Sequence, residues 1–313
     1  METWRLATID VGTNTVLLLI VEIDHRGDFR ILEDRAEITR LGEGVQQNGV
    51  LGQGGQQRTL DVLRGYYERC QDLDVQEIKI AGTSALREAA NASDFKTCLK
   101  QGLGLDLRVL STREEAWYSY LSVQKGLTGV SPEVLVVDIG GGSTEFVWGK
   151  GGELERWASY PMGTVKLTER FLISDPAREE ECDRLMRAVD SDLSQQLADW
   201  ETATTFGSMV GIAGTFTTLS AVEKALVPYR AEEVHGSPLN RQEVRRQIQL
   251  FQSKTVAERK QIPGLEPKRA DVILAGALLI DRIMAHFQMD QAIVSDQGIR
   301  YGLLFDRLAE VHK

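Results

Sequence analysis

Three apolar, β-rich runs open the chain, Trp4 to Asp10, Val16 to Asp24 and Phe29 to Thr39, the last two joined by a His25-Arg26-Gly27-Asp28 turn. They predict an antiparallel meander. A glycine- and glutamine-rich loop, Gly42 to Gln53, precedes an amphipathic helix that ends near Cys70. The chain then alternates: a strand from Glu77 to Ala81, a short helical stretch around Arg87, a helix near Asp94 to Gln101, a strand from Leu107 to Leu110 and a helix from Arg113 to Lys125. The second half restarts the same order. Val134 to Asp138, Thr144 to Lys150 and Glu153 to Tyr160 read as three strands with a Gly151-Gly152 turn, followed by helices from Thr164 to Leu172 and from Arg178 to Leu197. Next come a strand from Met209 to Ala213, a helix from Phe216 and an irregular span through Pro228 and Pro238. A helix from Arg241 to Gln252, a long one from Ala270 to Phe287, a strand from Ala292 to Ser295 and a terminal helix complete the pattern. The pattern implies a duplicated β-β-β-α-β-α unit, divided in the linker-like Gly126-Leu127-Thr128-Gly129-Val130-Ser131-Pro132. The expected domains are residues 1–126 and 127–313, with the terminal helix free to pack back on the first lobe.

The bulk numbers narrow the class. A chain of 313 residues that is 42% hydrophobic suits two domains, each with its own core. No apolar run approaches the roughly 20 residues needed to span a bilayer. Met1-Glu2-Thr3-Trp4-Arg5 leads straight into a strand without a signal-peptide pattern, so a cytoplasmic location is expected. Cys70, Cys98 and Cys182 are widely spaced and odd in number, which suits reduced thiols better than a disulfide framework or a zinc site. A net charge of −10 gives no general attraction for nucleic acid or an anionic membrane surface. With 4 histidines and no His-x-x-x-His pair, a histidine-built metal centre is not expected.

Candidate chemistry lies at two strand-to-turn segments of one design. Asp10-Val11-Gly12-Thr13-Asn14-Thr15 and Asp138-Ile139-Gly140-Gly141-Gly142-Ser143-Thr144-Glu145 each place an aspartate at the end of an apolar strand, before glycine and hydroxyl or amide side chains. Glycine lets the backbone approach closely enough for successive N–H groups to meet phosphoryl oxygens, and a neighbouring carboxylate suits a divalent cation. Each motif has a plainer reading. The second loop alone could be a bare glycine turn, and Asp10 could cap the first.

In order and spacing these segments resemble the actin, sugar-kinase and 70-kDa-chaperone ATPase fold, an α/β architecture of two ribonuclease-H-like lobes around a cleft. Within it the chain is similar to the exopolyphosphatase / guanosine pentaphosphate phosphohydrolase family. The likeness includes both loops, the segment Ala81-Gly82-Thr83-Ser84-Ala85-Leu86-Arg87-Glu88-Ala89-Ala90-Asn91, and Leu110-Ser111-Thr112-Arg113-Glu114-Glu115-Ala116. It continues through Val234-His235-Gly236, the segment from Arg269 to Ala277, and Ser295-Asp296-Gln297-Gly298-Ile299-Arg300-Tyr301-Gly302. One departure is Thr112-Arg113, where the family usually has glycine after the serine. The chain resembles the short, two-domain members.

The resemblance implies removal of terminal phosphate from inorganic polyphosphate or guanosine pentaphosphate, without a covalent intermediate. Glu115 matches the catalytic glutamate that activates water, and Glu114 the capping residue beside it; the plainer reading makes both an acidic first helical turn. Thr13, Asn14, Gly140, Gly141, Gly142 and Ser143 would hold phosphate, while Asp10, Asp138 and Glu145 would hold Mg²⁺, with Mn²⁺ as substitute. Arg87 is a candidate phosphate clamp or a surface ion pair with Glu88 or Asp94. Gly214 and Thr215 resemble the fold's nucleoside-side loop, with Thr215 alternatively an N-cap. His235 reads as a structural residue near the substrate channel, and Gly276 as a site of close helix packing. Arg87, Arg269 and Arg300 would form a short basic track. The oligomeric state is open, a homodimer included. Two rival readings are a kinase of the same fold and a non-catalytic sensor of guanosine polyphosphates. The absence of a sugar-binding signature counts against the first; the presence of Glu115, Asp138 and Glu145 counts against the second.

Overall fold

The computed structural model describes residues 3–201 and 206–311, so Met1 and Glu2, at the head of the run read as leading into a strand, lie outside the described residues. The chain forms two compact units, one from residues up to Ser122 together with Gly298 onward, the other from Val123 to Gln297. The division therefore falls four residues before the one expected after Gly126, inside the helix Thr112–Gly126, and the terminal helix Ile299–Val311 belongs to the first unit.

The first unit holds a five-stranded sheet of β1 (Trp4–Val11), β2 (Thr15–Ile23), β3 (Phe29–Ile38), β4 (Glu77–Gly82) and β5 (Arg108–Val109), in the order β3-β2-β1-β4-β5. β1, β2 and β3 run antiparallel, while β1, β4 and β5 run parallel. Burial follows position. Central β1 is buried over six successive residues, from Leu6 to Val11, as expected of a strand covered on both faces. Edge strand β3 instead carries Arg30, Glu33, Asp34, Arg35 and Glu37, charges that discourage pairing with another chain. The helix Gln53–Asp72 covers one face through Thr59, Leu63, Tyr66 and Cys70, spaced four, three and four apart on one stripe. The helix Ile299–Val311 covers the other, packing Tyr301 and Leu304 on Leu6, Leu19, Val21 and Ile23.

The second unit repeats this plan. β6 (Glu133–Ile139), β7 (Thr144–Lys150), β8 (Glu153–Tyr160), β9 (Ser208–Ile212), β10 (Ser237–Asn240) and β11 (Gln291–Val294) lie in the order β8-β7-β6-β9-β11-β10. The first five positions reproduce the first sheet, three antiparallel strands followed by two parallel ones. The fold is α/β, a duplicated ribonuclease-H-like unit. β10 is an addition that, among the described residues, pairs only with β11, antiparallel. It lies in the span expected to be irregular because of Pro228 and Pro238; as an edge strand it tolerates Pro238, which has no N–H to donate to a second neighbour. The long helix is Ile273–His286, preceded by a 3₁₀ turn at Pro267–Arg269, and the strand expected from Leu107 to Leu110 contracts to β5. Among the described residues no helix is long and apolar enough to cross a membrane.

Candidate active site

Both candidate loops leave the carboxyl end of the first strand of their unit, and their backbones are closed in the same way. In the first, Gly12 N–H donates to Thr15 O at 3.0 Å; in the second, Gly140 N–H donates to Ser143 O at 3.0 Å. A Cβ at Gly12 would stand 2.9 Å from Thr15 O, and one at Gly140 would stand 3.3 Å from Ser143 O. Each loop's carbonyls are tied to the segment that follows the third strand. Thr13 O accepts from Gly42 N (2.9 Å), and Asn14 O from Thr39 N and Arg40 N (both 3.0 Å). In the second unit, Gly140 O accepts from Thr164 N (3.0 Å) and Gly141 O from Val165 N (2.9 Å). Each support also contains a glycine that lets it approach. A Cβ at Gly42 would lie 2.3 Å from the Thr13 side chain, and one at Gly163 would lie 2.2 Å from Gly141 O. The amides of Thr13, Asn14, Gly141 and Gly142 donate to no loop or turn carbonyl among the described residues. Carbonyls held back and amides left as donors make a surface suited to phosphoryl oxygens.

The side chains beside the loops differ. Asp138 and Glu145 are direct partners in the β6–β7 register, so their carboxylates leave the same face of the sheet as cross-strand neighbours. Both are buried, and Ser159 Oγ donates to Glu145 Oε1 at 2.7 Å. Asp10, also buried, faces Leu17 in the β1–β2 register. No group of three or more acidic, histidine or cysteine side chains able to hold a metal ion forms among the described residues. Two adjacent carboxylates still fit Mg²⁺, which takes few protein oxygens and completes its octahedron with water and substrate phosphate.

The first unit gathers Asp10, Thr13, Asn14, Arg87 and Glu115 around the carboxyl ends of its parallel strands. Thr83 N–H donates to Val11 O (3.3 Å), Leu110 N–H donates to Gly82 O (2.9 Å), and Gly42 lies against both Thr13 and Ala85. Arg87 is on the short helix Ser84–Glu88, and its Nη1 donates to Glu115 Oε2 at 2.8 Å and to Leu110 O at 3.0 Å. Its ionic partner is thus Glu115, not the Glu88 or Asp94 of the surface-pair reading. Glu115 is only 4% exposed. Burial pushes its carboxyl above the ordinary range, with Arg87 opposing the rise by charge and hydrogen bond. Neighbouring Glu114 behaves in the opposite way. It accepts from Ser111 N and Oγ, both at 2.8 Å, while its own N–H donates back to Ser111 Oγ, a reciprocal cap of the helix Thr112–Gly126. These bonds hold the Glu114 carboxyl below its ordinary range. One glutamate caps the helix. The other is turned inward, and burial raises its carboxyl pKa.

In the second unit, Thr215 does not cap its helix. The helix Ala213–Glu223 begins earlier, with Ile212 in the cap position and Ala213 at φ +67°. Thr215 is buried in the first turn, and its Oγ1 donates to Ile139 O at 3.3 Å beside the second loop. Gly276 lies against the Thr215 and Thr164 side chains, where a Cβ would come within 2.4 Å of Thr215 Cγ2. A Cβ at Gly214 would stand 2.1 Å from Arg269 Nη1, so the missing side chain makes room for a guanidinium. Burial lowers the Arg269 pKa from its ordinary value, with the Glu266 and Tyr229 charges opposing. The expected basic track is not continuous, because Arg300 is buried and forms a two-point ion pair with Asp34 (3.0 and 3.0 Å). Gly42 and Gly163 were missed as loop supports by sequence reasoning; the signal that could have found them is a glycine shortly after each third strand.

The Ppx/GppA phosphatase family matches this chain over residues 19–311. Exopolyphosphatase 2 of Mycobacterium tuberculosis is 33% identical, over 97% of this chain and 98% of its own. A bifunctional 3-dehydroquinate synthase/phosphatase of Fusobacterium nucleatum is 31% identical over 96% of this chain, which spans 46% of that longer protein. Among solved structures, the Aquifex aeolicus member of the Ppx/GppA family is 35% identical, covers 100% of both chains and superposes with a TM-score of 0.83.

Proposed function

The chain belongs to the Ppx/GppA phosphatase family, and from that premise we propose that it releases terminal phosphate from inorganic polyphosphate or from the 5′-triphosphate end of guanosine pentaphosphate. The observation that carries this reading is Glu115, a carboxylate inside the protein whose Oε2 is held by Arg87 at 2.8 Å. A capping role needs no burial, and Glu114 already fills it. A base needs a fixed orientation and a pKa lifted toward the working pH, and Glu115 has both.

In this mechanism Glu115 takes a proton at Oε1 from the water that attacks the terminal phosphorus. A water oxygen–phosphorus bond forms, the bridging P–O bond breaks, and its electron pair leaves with the shortened chain. In each unit the loop amides, those of Thr13 and Asn14 in the first and of Gly141 and Gly142 beside the Ser143 hydroxyl in the second, would be donors for phosphoryl oxygens. Asp138 and Glu145, with Asp10 as the first unit's counterpart, would hold Mg²⁺ or Mn²⁺. Such a cation, when bound, neutralises phosphate charge. Arg87 orients the base through Nη1, and its remaining guanidinium donors would be free to clamp a phosphate.

The test is phosphate release by the purified protein from polyphosphate and guanosine pentaphosphate side by side, with and without Mg²⁺. Free phosphate from both, more from polyphosphate, is the expected result, and it should disappear in chelator. Transfer of phosphate from ATP to an added sugar or carboxylic acid would make the protein a kinase. Tight nucleotide binding without phosphate release would make it a sensor.

A further inference from the structure

The helix that carries Glu115 in its first turn ends at Gly126, and its last carbonyl meets a histidine. His235 Nε2 lies 3.1 Å from Gly126 O, while Asp296 N–H donates to His235 Nδ1 at 3.3 Å. A carbonyl can only accept and a backbone amide can only donate, so Nε2 is the donor and Nδ1 the acceptor. Ser295 Oγ stands 3.3 Å from the same Nδ1 and also binds the Gln297 backbone. Gln297 in turn closes over Gly126, where a Cβ would meet its Oε1 at 1.9 Å.

This arrangement has a particular place in the chain. Polypeptide passes between the two units twice, within the helix Thr112–Gly126 and between Gln297 and Gly298. His235 is hydrogen-bonded to the second-unit end of both passages, through Gly126 O on one side and Asp296 N on the other. The last carbonyls of a helix have no partner within it. An imidazole N–H on Gly126 O therefore fixes the far end of a rigid element whose first turn carries the base.

We propose that His235 is a positioning residue for phosphate release: by holding Gly126 it keeps the Glu115 helix in its working register. The inference rests on Glu115 being the base. It predicts that the donor to Gly126 O matters more for turnover than the acceptor for Asp296 N–H. Two amides separate these roles. Glutamine can place an N–H near the Nε2 position, whereas asparagine reaches only the Nδ1 position and keeps the acceptor alone.

The test compares His235→Gln and His235→Asn for kcat, KM and melting temperature on polyphosphate. His235→Asn should lose about tenfold in kcat with KM within about twofold, and His235→Gln should recover most of that loss, because misplacing a base slows the chemical step more than binding. Similar kcat in the two variants would overturn the proposal whatever their melting temperatures, as would a loss confined to KM. Glu115→Gln, measured alongside, keeps the two claims distinct. Near-normal turnover there removes the base assignment, whereas lost turnover there with indistinguishable His235 variants removes only the role of His235.

Discussion

The two loops share a backbone and differ in what their strands present. Gly12 to Thr15 and Gly140 to Ser143 close through the same hydrogen bond at the same 3.0 Å, and each has its carbonyls anchored by a glycine-containing segment after the third strand. At the register position opposite the aspartate, however, the first unit has Leu17 and the second Glu145. Conversely, the pair of half-buried Arg87 and buried Glu115 belongs to the first unit. The two units share this loop geometry because it depends on glycine and on main-chain bonds. The side chains on top of it differ: a cross-strand pair of carboxylates in one copy, a glutamate held by an arginine in the other.

The sharpest way to break this comparison is at the base. Glu115→Gln keeps the shape and an acceptor but cannot take a proton, so kcat should fall by roughly 10² to 10⁴ with little change in KM. Stability should move the other way. Because the folded-state pKa of Glu115 is raised, its stabilising contribution is present below the unfolded pKa and is lost as pH rises through the folded value. The glutamine variant mimics the protonated form, so at pH 7 it should melt at the same temperature as the wild type or higher, and the difference should close on acidification. A lower melting temperature at pH 7 would show that the ionised carboxylate stabilises the fold.

Next in size is the contrast between aspartates. Asp138→Asn should raise the Mg²⁺ concentration for half-maximal activity by about tenfold or more, and Asp10→Asn by clearly less, because only Asp138 has a carboxylate as its cross-strand neighbour. Metal titrations of both variants check this; equal shifts would erase the asymmetry. The smallest effect concerns the shared backbone. Gly12→Ala places a methyl 2.9 Å from a main-chain oxygen, against 3.3 Å for Gly140→Ala. Denaturant unfolding should show a loss of about 1–3 kcal/mol for the first and less for the second, the usual scale of overpacking.

Much of this was legible in the chain itself. Strands such as β7 and β8 run over the residues their pattern predicts, since β-rich composition and a Gly-Gly turn are local signals. The tight closure of both loops was legible too, because such turns need glycine in the sequence. Partnerships across the fold were not. Arg87 lies beside Glu88 in sequence but binds Glu115, 28 positions away, and Arg300 binds Asp34 across 266. Charge alone could not reveal that these arginines are engaged by carboxylates rather than lining a track. Thr215 failed as an N-cap for a similar reason: a threonine after glycine looks like a helix start, but its hydroxyl is drawn to Ile139 O from another strand.

The central claim is that Glu115 is the base and that Arg87 sets its working state. The measurement closest to it is the pH dependence of kcat/KM for wild type and Arg87→Gln with polyphosphate. The substrate's own ionisation is common to both enzymes, so the difference between their profiles reports the enzyme. Burial raises the Glu115 pKa above the ordinary 4.5 and Arg87 restrains the rise. The wild-type rate should therefore fall on the acid side with a midpoint above 4.5, and removing the guanidinium should move that midpoint to higher pH. An acid limb that stays in place in Arg87→Gln, or moves to lower pH, would contradict the account.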